Sequence, residues 1–377
     1  MKHRTHISLL LTALLTVTIL TSIAFAAPEA GTEMPVLFTD AFSVSYLENG
    51  VKKIVDAENR IILLLPDGIP APDGYDDAVV LQGPIDNVLF CSSTQLCMLR
   101  PFGDDIWSVV GGLTDTAETW ENYIPAISDG IRNGDMVYVG GSGMGDPDYE
   151  LIQELNPDIA FVYTGTSAQS GIIEKLTELG IPYAVDNEYM EATASGRMEW
   201  IKFIGAFFDQ DEAAVAHVER QAAGLEAMRQ HVAGKDKPKV AWGMVYDGIV
   251  YAPNGGSYVA NAIEDAGGDY VFADVGVGTG SSSQITVEEF YERSMEADVL
   301  IYSSNVNYLP NKTALLELAP VFADFSPVVS GNMWQFSLDY YMSTDRAEEQ
   351  VIELAKIFYP DLYEGEELRH YNKISEE

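Results

Sequence analysis

The sequence predicts an α/β protein of two Rossmann-like lobes, with parallel-rich sheets, bridged by one long backbone helix. Three observations predict it. Short apolar segments such as Asn87-Val-Leu-Phe90 and Ile159-Ala-Phe-Val-Tyr163 alternate with helical stretches up to Asp186. An unbroken helical pattern then runs from Asp211 to Val232. A second alternation of strands and helices begins at Lys239. The division implied is a leader at 1–26, a first lobe at 27–210, a linking helix at 211–234 and a second lobe at 235–377.

The leader starts with Lys2 and Arg4, continues as an apolar run from Ile7 to Ala26, and ends in Ala24-Phe25-Ala26. That is the order of a cleaved secretory signal, and retention as a membrane anchor is the alternative. No Cys follows the run, so a lipid-bearing N-terminus is not indicated. In the first lobe, Phe42-Ser-Val-Ser-Tyr46 and Lys53-Ile-Val55 flank Asn49-Gly50 as a β-hairpin, and Arg60 to Leu65 is a third strand stopped by Pro66. Strands are expected at 87–90, 107–110, 136–139, 159–163 and 183–185, and helices at 93–101, 149–155, 172–179 and 195–208.

Along 211–232, Val215, Val218, Ala222, Leu225, Met228 and Val232 fall on one stripe. Asp209 and Asp211 are candidate N-caps, Gly234 is the stop, and the helix measures about 33 Å. In the second lobe, strands are expected at 240–242, 299–302 and near Val328-Val329, with 249–251 opening a strand or a loop and 275–283 a Gly/Ser loop. Helices are expected at 258–266, 287–294, 312–323 and 346–358.

The chain has 58 acidic against 21 basic residues, a net charge of −37. Such a charge repels nucleic acid and anionic lipid and keeps an exported protein soluble. It also suits high salt. The hydrophobic content of 47% excludes a disordered acidic chain. Cys91 and Cys97 read either as a disulfide of an exported chain or as two small apolar residues, one ending a strand and one within the next helix. Two of the five histidines leave with the leader, and His217, His231 and His370 read as solvated surface residues. No His/Cys/carboxylate cluster suggests a metal site, and no His lies where a nucleophilic triad needs it. Gly140 to Gly145 lacks phosphate-loop spacing and reads as a turn. Asn311-Lys-Thr313 is a glycosylation sequon by spacing only.

Open α/β sheets bind ligands beyond the carboxyl ends of their strands. That places Tyr163, Tyr189, Trp242, Tyr246, Tyr251, Tyr258, Tyr302 and Tyr308 at candidate cleft positions. Ser92, Ser93 and Thr94 stand where a strand turns into a helix. The cleft is expected to be aromatic and rich in hydroxyls, with Arg100 and Lys312 its only basic candidates.

Five segments resemble, in order, the signatures of ABC-transporter substrate-binding proteins for ferric siderophores, haem and cobalamin. Ile54-Val-Asp-Ala-Glu-Asn-Arg60 is similar to the family's opening DxxGR strand. Asp146 to Ala160 is similar to its NLExIxxLxPDLV segment. Gly196 to Gly205 resembles the segment before the linking helix, and Ala262 to Gly268 a helix end in Gly-Gly. Thr286 to Ile301 resembles a second signature, S-x-E-x(8)-D. The likeness runs from about residue 54 to 362. It implies a monomeric receptor that holds its ligand between the lobes and performs no chemistry, with no cofactor of its own. It also implies that Glu150 and Glu288 dock to arginines of an ABC permease, which works with an ATPase. A scarcity of Arg departs from members that take strongly anionic siderophores. The ligand expected is an iron complex of low charge or haem held through a Tyr phenolate, with a corrinoid as the alternative. A secreted enzyme using the same cleft and a surface adhesin or sensory receptor are rival classes.

Overall fold

The structure is a computed structural model that describes residues 29–141, 145–278 and 280–376. The leader expectation for 1–26 and residues 142–144 of the Gly cluster lie outside the described residues. Among the described residues no helix is long and apolar enough to cross a membrane.

The first lobe carries two sheets. Strands β1 (Ser43–Tyr46), β2 (Lys52–Val55), β3 (Ile61–Leu65) and β4 (Val79–Gln82) form one in that order. The turn joining β1 to β2 runs through Asn49, at a φ of 59°. Asp56 explains the opening motif. Its buried carboxylate accepts the backbone N–H groups of Glu58 and Arg60 and reaches across to that of Val185. Arg60 meanwhile lies over the Tyr183 ring at 3.7 Å and donates to the Tyr183 carbonyl. The motif therefore ties the hairpin to the second sheet. That sheet is all parallel: β5 (Val88–Phe90), β6 (Val110–Leu113), β7 (Val137–Tyr138), β8 (Ile159–Val162) and β9 (Tyr183–Val185), in the order β7-β6-β5-β8-β9. Strand order reverses between β5 and β8.

The second lobe has one mixed sheet of seven strands. These are β10 (Lys239–Tyr246), β11 (Ile249–Pro253), β12 (Asp269–Tyr270), β13 (Ser282–Thr286), β14 (Val299–Tyr302), β15 (Met333–Phe336) and β16 (Tyr371–Lys373). The order is β13-β11-β10-β14-β15-β16, with β12 beside β10.

The linking helix spans Asp211–Val232 and buries Ala214, Val215, Val218, Gln221, Leu225, Met228 and Val232. Its neighbour, Ala194–Ala206, is buried along nearly its whole length. Both helices serve both lobes. Trp200 to Val215 pack in the first core, whereas Ala194, Met198, Leu225, Met228 and Val232 pack in the second. Inside Ala194–Ala206, Lys202 pairs with Glu199 at 2.7 Å, and Glu199 accepts the backbone N–H groups of Leu37, Phe38 and Thr39. Leu225→Ala should cost about 2–5 kcal/mol in urea unfolding, since Leu225 is fully buried between the helices and the second core. A loss under about 1 kcal/mol would show that the helix is held elsewhere.

Several expectations need correction. Residues 104–109 form a 3-10 helix, and the strand shifts to Val110–Leu113. Glycines fill that strand's second and third positions because a Cβ at Gly111 would meet Asn87 and one at Gly112 would meet Leu155. Val328 and Val329 lie in a helix, Ser326–Ser330, started by Pro327, so the strand begins only at Met333. Ser282 and Ser283, expected in a loop, join β13 against β11. Neither Asp209 nor Asp211 caps the linking helix. Gln210 holds that position, and both Asp carboxylates grip Lys52, at 2.8 and 2.6 Å. His370 is fully buried beside Glu349, because β16 adds to the edge of β15 and draws it in. His217 faces the Asp345 carbonyl at 2.9 Å rather than solvent. Cys91 and Cys97 are buried and free. Asn311 acts as a helix N-cap, accepting the N–H of Ala314. Gly140 and Gly141 turn at positive φ against Pro147, as a turn requires.

Candidate functional site

Between the lobes lies a cavity of about 890 Å³. The first lobe contributes Tyr189, Met190, Glu191 and Arg197, from the segment after β9 and the helix that follows. The second lobe contributes Met244, Tyr251, Ser257, Tyr258, Ser303, Phe336, Tyr340 and Tyr341. Phe336 and Tyr340 stack with centroids 3.9 Å apart, and Tyr341 meets both rings edge-on. Aromatic side chains are held flat in this way when each packs on a rigid neighbour. Arg197 is the one cation among the described lining residues. Its guanidinium lies 3.6 Å from the Tyr258 ring centroid and donates to the Tyr189 carbonyl. A hydrogen bond across the lobes joins the Asn261 amide to the Ala192 carbonyl at 2.8 Å.

Burial raises the phenols of Tyr258, Tyr340 and Tyr341 above the usual tyrosine range. They present hydroxyls, not phenolates, at neutral pH. No group of three or more His, Cys, Asp or Glu side chains placed to hold a metal occurs among the described residues.

A second, smaller cavity of about 160 Å³ opens at the carboxyl ends of β5, β6 and β8, lined by Ser92, Ser93, Asp115, Tyr163 and Gln169 among others. The Tyr163 and Tyr189 rings meet edge-on at 5.5 Å, so the two cavities adjoin at this pair.

The predicted residues therefore separate. Tyr189, Tyr251 and Tyr258 line the large cavity, and Ser92, Ser93 and Tyr163 the small one. Thr94 hydrogen-bonds with Ser92, which caps its helix. Trp242 and Tyr302 are core residues. Both lie on central strands buried on both faces, with Trp242 donating to Ser303 and Tyr302 to the Val245 carbonyl. Tyr246 and Tyr308 are exposed, at 65% and 78%, and line neither cavity. Arg100 and Lys312 are not cleft cations either. Arg100 pairs with Asp345 at 3.1 Å, and Lys312 with Glu376 at 3.0 Å. Phe336, Tyr340, Tyr341 and Arg197 carry the site without having been foreseen. Glu150 and Glu288 are exposed, each the second residue of a helix, Tyr149–Leu155 in one lobe and Val287–Ser294 in the other.

Several acids are shifted by burial. Asp115 and Asp345 are pushed up to about 6 and Glu348 to about 8, while Asp186 and Glu188 are raised together. A raised carboxyl binds its proton more tightly folded than unfolded. Its contribution is therefore complete below the unfolded value near 4 and is lost as pH climbs through the folded value. His217, lowered by burial, acts oppositely only below about 6.5. The thermal midpoint should fall between about pH 6.5 and pH 9; a rise over that interval would contradict the assignment.

The chain and its fold match known proteins. The periplasmic binding protein family model matches residues 108–325, and the chain belongs to that family. An uncharacterised lipoprotein of Methanocaldococcus jannaschii is 31% identical over 334 residues, covering 86% of this chain and 78% of the relative. Among solved structures, a periplasmic binding protein of Veillonella parvula has a TM-score of 0.60 at 14% identity, covering 88% of this chain and 99% of its own. The periplasmic haem-binding protein BhuT, in complex with two haems, gives 0.56 at 16% identity, covering 73% and 98%. This chain is thus an exported, extracytoplasmic solute-binding protein and not an enzyme. Proteins of this family work with ABC permeases.

Proposed function

We propose that the protein captures a ferric complex, a siderophore chelate or haem, between its lobes and delivers it to the permease of an ABC importer. The observation that carries this reading is the large interlobe cavity walled by Tyr and Phe rings, with a single guanidinium and no clustered metal ligands among the described residues. Affinity comes from burying the apolar outer surface of the complex. A single cation in the lining suits a ligand of low charge. Binding of haem by BhuT supports a bulky, flat guest for a cleft of this fold.

The test is the visible spectrum of protein purified from its own host, followed by fluorescence titration with haemin, ferrichrome and cyanocobalamin. A Soret or ferric charge-transfer band, with submicromolar binding of one iron complex, is expected. Corrin bands, or binding of cyanocobalamin alone, would replace iron with a corrinoid.

A further inference from the structure

Beside the large cavity, the small pocket at the β5/β8 reversal has a chemistry of its own. Strand-order reversals leave a crevice where neighbouring connections run to opposite faces of the sheet. Here that crevice is lined by Ser92, Ser93, Tyr163, Gln169 and two acids, Asp115 and Asp146, among others. Gln169 is already occupied: its amide donates to the Cys91 carbonyl and accepts the Tyr163 N–H. Asp115 is different. Its Oδ2 is shut off from solvent and has no hydrogen-bond partner. No Lys, Arg or His is among the described lining residues. A buried acceptor left unpaired is destabilising, and more so when charged. Burial accordingly pushes the carboxyl up to about 6, so that it is still mostly ionised at neutral pH.

We propose that this pocket is a subsite for a protonated amine, carried on an arm of the same ligand whose bulk occupies the interlobe cavity. The inference rests on the capture role proposed above and specifies the ligand's chemistry. The Tyr163–Tyr189 pair stands where the arm passes from one cavity to the other. An ammonium group in the cavity pairs with the Asp115 carboxyl from the side that lines it and donates to the neighbouring hydroxyls. The net charge of −37 favours the approach of a cationic ligand over that of an anionic one.

The probe is ferrioxamine B, a ferric trihydroxamate whose pentyl arm ends in an ammonium group, against its uncharged N-acetyl derivative. The ammonium form should bind about tenfold tighter, the range of one charged hydrogen bond. Asp115→Asn should erase the difference while leaving the acetylated complex unaffected. Ala168→Lys, at an exposed helix position on the pocket's edge, should erase it too without touching the core. Equal affinities for the two forms, or a preference that survives both substitutions, overturns the proposal while leaving capture of ferric complexes standing. Should neither chelate bind, n-butylammonium against n-butyrate reads the pocket alone by thermal shift. Stabilisation by the cation that is lost in Asp115→Asn supports the subsite, and equal response to both ions overturns it.

Discussion

Reversing the charge at Glu150 and Glu288 together, to Arg, should abolish delivery of ligand through the permease and leave ligand affinity unchanged. The two carboxylates open helices on separate lobes, are exposed, and line neither cavity. A docking contact on each lobe would let the permease hold both halves and separate them. Placing like charges across such an interface costs several kcal/mol, so the double reversal should lower transport by at least about a hundredfold. Each single reversal should act more weakly. The measurement is uptake into proteoliposomes carrying the permease and ATPase, paired with equilibrium titration of the free receptor. Normal transport by the double variant would remove the docking role, and lost affinity would place these residues at the ligand instead.

The largest loss of stability is expected at the joint between the lobes. Arg100, which opens the 3-10 helix Arg100–Phe102, places one guanidinium nitrogen 3.1 and 3.2 Å from the two Asp345 oxygens, and another 2.7 Å from the Met342 carbonyl. The linking helix joins the same knot, because His217 and Gln221 both reach the Asp345 carbonyl. Asp345 is almost wholly buried. Removing it alone leaves a guanidinium poorly solvated, so Asp345→Ala should cost about 3–5 kcal/mol in urea unfolding. Replacing both partners by apolar residues, Arg100→Met with Asp345→Leu, should recover most of that loss. The knot closes the segment that carries Tyr340 and Tyr341, so the single variant should also weaken ligand binding. If Asp345→Ala costs under about 1 kcal/mol, the pair does not hold the lobes together.

The scaffold was legible where chemistry is local. The stripe on Asp211–Val232 and most parallel strands follow from periodicity and turn residues, whereas the N-cap of that helix does not. The site was legible only in part, because cleft and core are distinguished by packing. Trp242 and Tyr302 sit beside the cleft in sequence, yet the central strands β10 and β14 bury them on both faces. Tyr340 and Tyr341 were hidden by one misplaced strand. With a strand set at Val328-Val329, the true β15 and the aromatic residues after it received no role. Pro327 was the available signal, since proline favours a first helical turn over a central strand. Arg197 lies within a helical pattern, and only the fold brings it over Tyr258, 61 residues later. Two helical signals also went unused, Pro125 and Gly134 at the ends of Pro125–Asn133.

The claim that the ligand is gripped between the lobes is tested most directly by hydrogen–deuterium exchange, with and without the tightest binder among haemin, ferrichrome and cyanocobalamin. Protection should appear at 189–197 on one side and at 251–258 and 336–341 on the other, together and at the same ligand concentration. Protection limited to a single lobe, or lying away from these three segments, would contradict it.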